Sequence, residues 1–87
     1  MAELRVSVTA AEGLHARPAA LFVKAAADAA TAGVAVSIAK PDGPPVDARS
    51  ILSVLSLDVR HGEEVVLTAD GPADDVLRQL AAVLTDG

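Results

Sequence analysis

The apolar residues of this chain switch repeatedly between a spacing of two and a spacing of three to four, and that switching constrains the fold more than any other feature. Leu4, Val6 and Val8 alternate with Arg5, Ser7 and Thr9, the pattern of a strand with one buried face. Val34, Val36 and Ile38 alternate with small or polar residues, and Val65, Leu67 and Ala69 alternate with Glu64, Val66 and Thr68. Between the first two strands, Pro18 to about Ala30 is alanine-rich, with Phe22, Ala26 and Ala30 four apart; this predicts a helix. Gly33 follows its end, as helix C-termini prefer. The run Pro41-Asp42-Gly43-Pro44-Pro45 is a turn, after which Val46 to Ala48 returns as a short strand that the prolines confine to an edge. Ser50 reads as the N-cap of a short helix, roughly Ile51 to Leu57. Gly71-Pro72 opens a last helix, with Asp74 and Asp75 favourable to its dipole and Val76, Leu77, Leu80, Val83 and Leu84 along one stripe. The order is βαββαβα. Its economical solution is an α+β fold, a four-stranded antiparallel sheet with three helices on one face and water on the other. With no repeat and no long linker, residues 1–87 are expected to form a single domain.

Composition narrows the function. Hydrophobic residues make up 52% of the 87 residues and charged ones 22%, so the chain is expected to fold. Phe22 is its one aromatic residue, and the core must be assembled from Val, Leu, Ile and Ala methyls. A domain of this size buries only about 60% of its unfolded surface, which favours a shallow surface site over a deep catalytic cleft. The net charge of −5 argues against nucleic acid, which asks for a concentrated basic face. No apolar run of about 18 residues is present to span a bilayer, and the N-terminus lacks the basic start and apolar stretch of a secretory signal. There is no cysteine for disulfide or thiolate chemistry. His15 and His61 are too few for most histidine-based metal sites, so neither metal nor cofactor is expected. His61 precedes Gly62 in a turn and reads as a surface residue.

The chemistry concentrates in Gly13-Leu14-His15-Ala16-Arg17-Pro18-Ala19. His15 stands between a strand exit and a helix start. Pro18 suits a first helical turn and disfavours helical backbone at Arg17, placing the start around Arg17 or Pro18. Such an end carries unpaired N–H groups and partial positive charge, which favour an anion. The Arg17 guanidinium adds a bidentate partner for phosphoryl oxygens. A neutral imidazole near pH 7 is the nucleophile this setting calls for.

The heptapeptide closely resembles the active-site motif of the HPr family, the histidine-containing phosphocarriers of the bacterial sugar phosphotransferase system. A second stretch, Ser50-Ile51-Leu52-Ser53-Val54-Leu55-Ser56-Leu57, is similar to that family's regulatory-serine helix. The resemblance covers essentially the whole chain and implies the family's open-faced β-sandwich. It also implies that His15 is phosphorylated on Nδ1, with Arg17 stabilising the phosphoryl group. The donor would be enzyme I, charged by phosphoenolpyruvate, and the acceptors IIA domains of sugar permeases. On this reading the chain is a covalent carrier rather than an enzyme. It would be cytoplasmic and monomeric, with no cofactor, no nucleic acid and no membrane insertion. Ser50 is where a serine kinase and phosphorylase would act in some relatives, although its hydroxyl already has a sufficient role as a cap.

The apolar residues of the second helix surround much of its circumference, and only one face of it can meet the sheet. Val54 and Leu57 are the better core pair, while Ile51, Leu52 and Leu55 stay partly exposed. A docking face is therefore expected from Ala16, Ala20 and Lys24 on the first helix with Arg49, Ile51, Leu52 and Leu55, rimmed by Arg17, Lys24 and Arg49. Some features depart from the family pattern. The interval from His15 to Ser50 is a few residues long, Glu12 puts negative charge before the motif, and Ala48-Arg49 precedes Ser50 where a lysine is common. Two other readings compete: a regulatory protein that docks to transcription factors or enzymes, or a carrier in a nitrogen-related chain. A small hydrolase with His15 as base finds no Ser, Cys or Asp/Glu partner set near His15.

Overall fold

The period-two stretches are strands with one buried face. The computed structural model describes residues 2–9, 13, 14, 16–71 and 73–85; Met1, Ala10, Ala11, Glu12, His15, Pro72, Asp86 and Gly87 lie outside the described residues. The elements are β1 (Ala2–Ser7), α1 (Ala16–Thr31), β2 (Val36–Ala39), β3 (Val46–Asp47), α2 (Ile51–Ser56), β4 (Glu64–Ala69) and α3 (Asp74–Thr85). They form one antiparallel sheet in the order β1-β4-β2-β3, covered on one face by the three helices. The edge position expected for the proline-flanked strand is the one β3 takes.

Strand β4 is central because it can present a buried residue to a partner on either side. Leu67 pairs with Leu4 of β1 and Ile38 of β2, and Val65 pairs with Val6. Phe22 of α1 is fully buried against this aliphatic face, together with Val54 of α2 and Leu77, Leu80 and Leu84 of α3. Full burial of a side chain of that size contributes about 1.5–3 kcal/mol, so Phe22 is the largest single contact of the core. On the opposite face Glu3, Arg5, Ser7 and Glu64 are exposed, and Arg5 pairs with Glu64 at 3.6 Å.

Helix α1 starts at Ala16, earlier than the expected Arg17 or Pro18. Pro18 is the third helical residue, where an N–H would have no intrahelical partner in any case, so its ring removes no hydrogen bond and the bias on Arg17 is overridden. Beyond β1, the Thr9 N–H donates to the Leu84 carbonyl at 3.1 Å and its hydroxyl to the Thr85 carbonyl at 2.9 Å. These bonds satisfy two of the last carbonyls of α3 and fix the chain just before the segment that leads to the site.

Candidate functional site

The entry to α1 is held by a contact from far along the chain. Gly13 has φ +72°, and a Cβ there would lie 2.6 Å from the Val59 carbonyl oxygen and 2.8 Å from Arg60 Cα. Both the left-handed backbone and the close approach require glycine at this position. The next N–H, that of Leu14, donates to the Val59 carbonyl at 2.9 Å, and the Leu14 side chain is buried. Residues 13 and 14 are thus clamped to the loop that follows α2. His15, the predicted phosphoryl acceptor, lies outside the described residues, as does Glu12. The backbone on both sides of His15 is placed by Leu14 and by the first turn of α1.

That first turn contains no acidic residue, and within the helix the amides of Ala16 and Arg17 have no partner. Arg17 is exposed and makes no ion pair with any described residue. First-turn amides without an intrahelical partner, together with an exposed guanidinium that has no ion pair among the described residues, give this end of α1 the positive potential that an anion needs.

Helix α2 is built as its sequence suggests. Ser50 has extended backbone (φ −99°, ψ 109°), and its hydroxyl accepts from the Ser53 N–H at 3.3 Å. The residues before it form a tight turn in which the Asp47 carbonyl accepts from the Ser50 N–H at 3.1 Å. The Asp47 carboxylate accepts from the Arg49 backbone N–H at 2.9 Å, from its Nε at 3.2 Å and from its Nη2 at 3.0 Å. Those bonds, the side-chain ones foremost, hold the Asp47 carboxyl below its ordinary pKa and the Arg49 guanidinium above its own. Sequence reasoning did not find this pair, although the i, i+2 spacing of acid and base across a turn was visible.

Helices α1 and α2 pack against each other, which brings the expected docking residues onto neighbouring elements. Ala20, Lys24 and Arg49 are exposed. Leu52 is 78% exposed and Ile51 37%, whereas Leu55 is half-buried and packs on the core. Leu57 is half-buried too, leaving Val54 as the fully buried residue of α2. Leu21, 53% exposed on α1, was missed. It stands next to Phe22 in sequence, about 100° around the helix from the buried stripe, and helical periodicity alone would have separated the two. A separate shallow groove of about 280 Å³ lies between α1 and α3, lined chiefly by Ala25, Ala29, Ala32, Val76 and Leu80; none of the predicted site residues lines it. Among the described residues no cluster of His, Asp or Glu could hold a metal ion, and no helix is long and apolar enough to cross a membrane.

Over residues 2–86 the chain matches the family described as the PTS HPr component phosphorylation site. It is 52% identical to the phosphocarrier protein HPr of Streptomyces coelicolor, covering 100% of this chain and 91% of that protein. It is 40% identical to the HPr-like protein Crh of Bacillus subtilis, covering 99% and 98%. Among solved structures, it is similar to a phosphocarrier protein HPr from Bacillus anthracis, with a TM-score of 0.83, 38% identity and 95% of each chain covered.

Proposed function

This chain belongs to the HPr family of the phosphotransferase system, and we propose that His15 is the residue on which it carries the phosphoryl group. The protein is a phosphoryl carrier between enzyme I and IIA domains, a covalent intermediate rather than a catalyst. The finer reading assigns the chemistry to particular atoms. The Nδ1 lone pair of neutral His15 attacks the phosphorus held by enzyme I; the new N–P bond forms as the bond to the donor breaks. Arg17 and the first-turn amides of α1 then stabilise the phosphoryl oxygens until a IIA domain takes the group by the same exchange.

The observation that carries this reading is the clamped entry to α1. Gly13 and Leu14 are pinned to Val59 immediately before His15, and an exposed Arg17 with no ion pair among the described residues follows immediately after Ala16. Such a residue pair at a helix start favours a carrier over a purely regulatory docking protein, which has no use for a histidine there. Partners dock across Ala16, Ala20 and Lys24 of α1 and Arg49, Ile51, Leu52 and Leu55 around α2. Residues 1–87 act as one domain, as a cytoplasmic monomer. A serine kinase acting on Ser50 would place a dianion beside the exposed Ile51 and Leu52 and obstruct docking.

Incubation with enzyme I and phosphoenolpyruvate tests the assignment. One acid-labile, base-stable phosphoryl group is expected on His15, and none on a His15→Ala variant of normal fold. Full phosphorylation of that variant would refute it.

A further inference from the structure

Five of the seven Lys and Arg residues lie in ion pairs: Arg5 with Glu64, Lys40 with Glu63, Arg49 with Asp47, Arg60 with Asp58 and Arg78 with Asp75. The two with no ion pair among the described residues, Arg17 and Lys24, are both on α1 and both on the docking rim. Arg49, the third basic residue of that rim, differs from them. Its guanidinium and backbone N–H are bound by one carboxylate, and the ion pair closes at 3.0 Å.

An exposed pair of this kind contributes little to folding stability. Its larger effect is on what a partner senses. Opposite charges 3.0 Å apart cancel over the Debye length of about 8–10 Å, so an approaching protein meets no net charge at Arg49. The positive charge that steers encounter on this face then comes from Arg17 and Lys24, the latter with the exposed Asp28 one turn further along α1. The α2 half of the face offers Ile51 and Leu52 instead, apolar and exposed.

We propose that Asp47 is a specificity-determining residue of the docking face: by cancelling the charge of Arg49 it confines the positive field to α1. It thereby selects partners that set acidic groups opposite α1 and apolar groups opposite α2. The inference rests on the docking face described above and adds the division of that face into a charged half and a neutral half.

The test is steady-state phosphotransfer from enzyme I with this chain as the varied substrate, at low salt and at about 0.5 M salt. Asp47→Asn keeps an oxygen acceptor for the Arg49 N–H while exposing the guanidinium charge; Asp47→Ser serves as a second variant of the same kind. Either is expected to lower KM about two- to fivefold at low salt, the range of one exposed charge pair, with kcat unchanged and the gain lost at high salt. In an Arg49→Met background the same change should give no gain. An unchanged or raised KM overturns the proposal. So does a gain that survives in the Arg49→Met background, which would make Asp47 a bare repulsive charge. Lys24→Met separates the two layers of the argument, because it should raise KM several-fold at low salt. If it does not, the docking face itself fails and the proposal with it; if Lys24→Met acts and Asp47→Asn does not, only the proposal fails.

Discussion

Replacing Gly13 by alanine, with Gly33→Ala as its partner, measures the contact that holds the entry to α1. Both glycines have positive φ, +72° and +92°. Left-handed backbone costs an L-residue about 1 kcal/mol, and both substitutions stiffen the unfolded chain alike. Around Gly33 nothing lies within 4 Å of the new methyl, so Gly33→Ala should cost only that conformational amount. At Gly13 the methyl would meet the Val59 carbonyl oxygen at 2.6 Å and Arg60 Cα at 2.8 Å, backbone atoms that cannot rotate away. Relief requires the two segments to separate. That breaks the Leu14–Val59 hydrogen bond, about 0.5–1.5 kcal/mol, and uncovers part of the buried Leu14, up to about 1.5–3 kcal/mol.

The expected cost of Gly13→Ala is therefore about 3–4 kcal/mol, against about 1 kcal/mol for Gly33→Ala. Urea unfolding gives both values directly. In a thermal melt, at about 4–8 °C per kcal/mol for a domain of this size, Gly13→Ala should lower Tm by at least about 12 °C. Folded Gly13→Ala should also accept phosphoryl groups more slowly, because the residue next to Leu14 is displaced. Equal losses for the two variants would refute the clamp, since backbone conformation alone would then account for both.

Asp58, at φ +52°, is the one non-glycine residue with positive φ among the described residues, and it directly follows Leu57, the C-cap of α2. Asp58→Gly should stabilise by about 0.5–1 kcal/mol, read as a rise in urea midpoint at constant m-value, because the Arg60 pair it loses is exposed. Ser50→Ala should cost about 1 kcal/mol through loss of the cap, whereas Ser50→Asp should keep stability near that of the parent and reduce phosphotransfer by charging the docking face. Acid titration of stability tests the Asp47 pair. The carboxyl has a depressed pKa in the folded chain, so its contribution is present above the unfolded-state value of about 3.9 and disappears as pH falls through the lower folded value. The small stability difference between the parent and Asp47→Asn should therefore close with acidification, and a difference that persists at the lowest pH contradicts the assignment.

How much of this was legible in the sequence depended on whether a feature leaves a periodic trace. Val6, and Val65 with Leu67, lie in strands with one wet face, so alternation displays them directly; Val8, just past the end of β1, keeps the same buried phase. Phe22 and the Leu77–Leu80–Leu84 stripe were visible for the same reason in helices. The start of α1 was misplaced because the rule for residues before proline is a local preference, and a proline at the third helical position sacrifices no bond. Val59 was invisible. A single buried residue in a loop has no period, and its partner Leu14 is distant in the chain. The Asp47–Arg49 pair escaped because exposed charges need satisfy no pattern, and only geometry reveals that one carboxylate holds both the backbone and the side chain of Arg49.

The hidden contacts matter most for transfer between two proteins. A phosphoryl group moves in line from donor to acceptor only if the nucleophile is placed to within about an ångström of its productive position, yet the proposed docking face is shared between α1 and α2 while the histidine precedes α1. Both ends of α2 are tied. Asp47 in β3 accepts from the Ser50 N–H at its start, and the loop after Leu57 delivers the Val59 carbonyl to Leu14 at its end. A partner that seats on Ile51 and Leu52 therefore grips an element whose following loop touches the chain just before His15. Rigidity comes from two backbone hydrogen bonds and a glycine without a Cβ, not from the mass of the core. On this argument, breaking the Val59–Leu14 contact should lower kcat for phosphotransfer more than it raises KM, because docking on α2 survives while the position of the nucleophile does not.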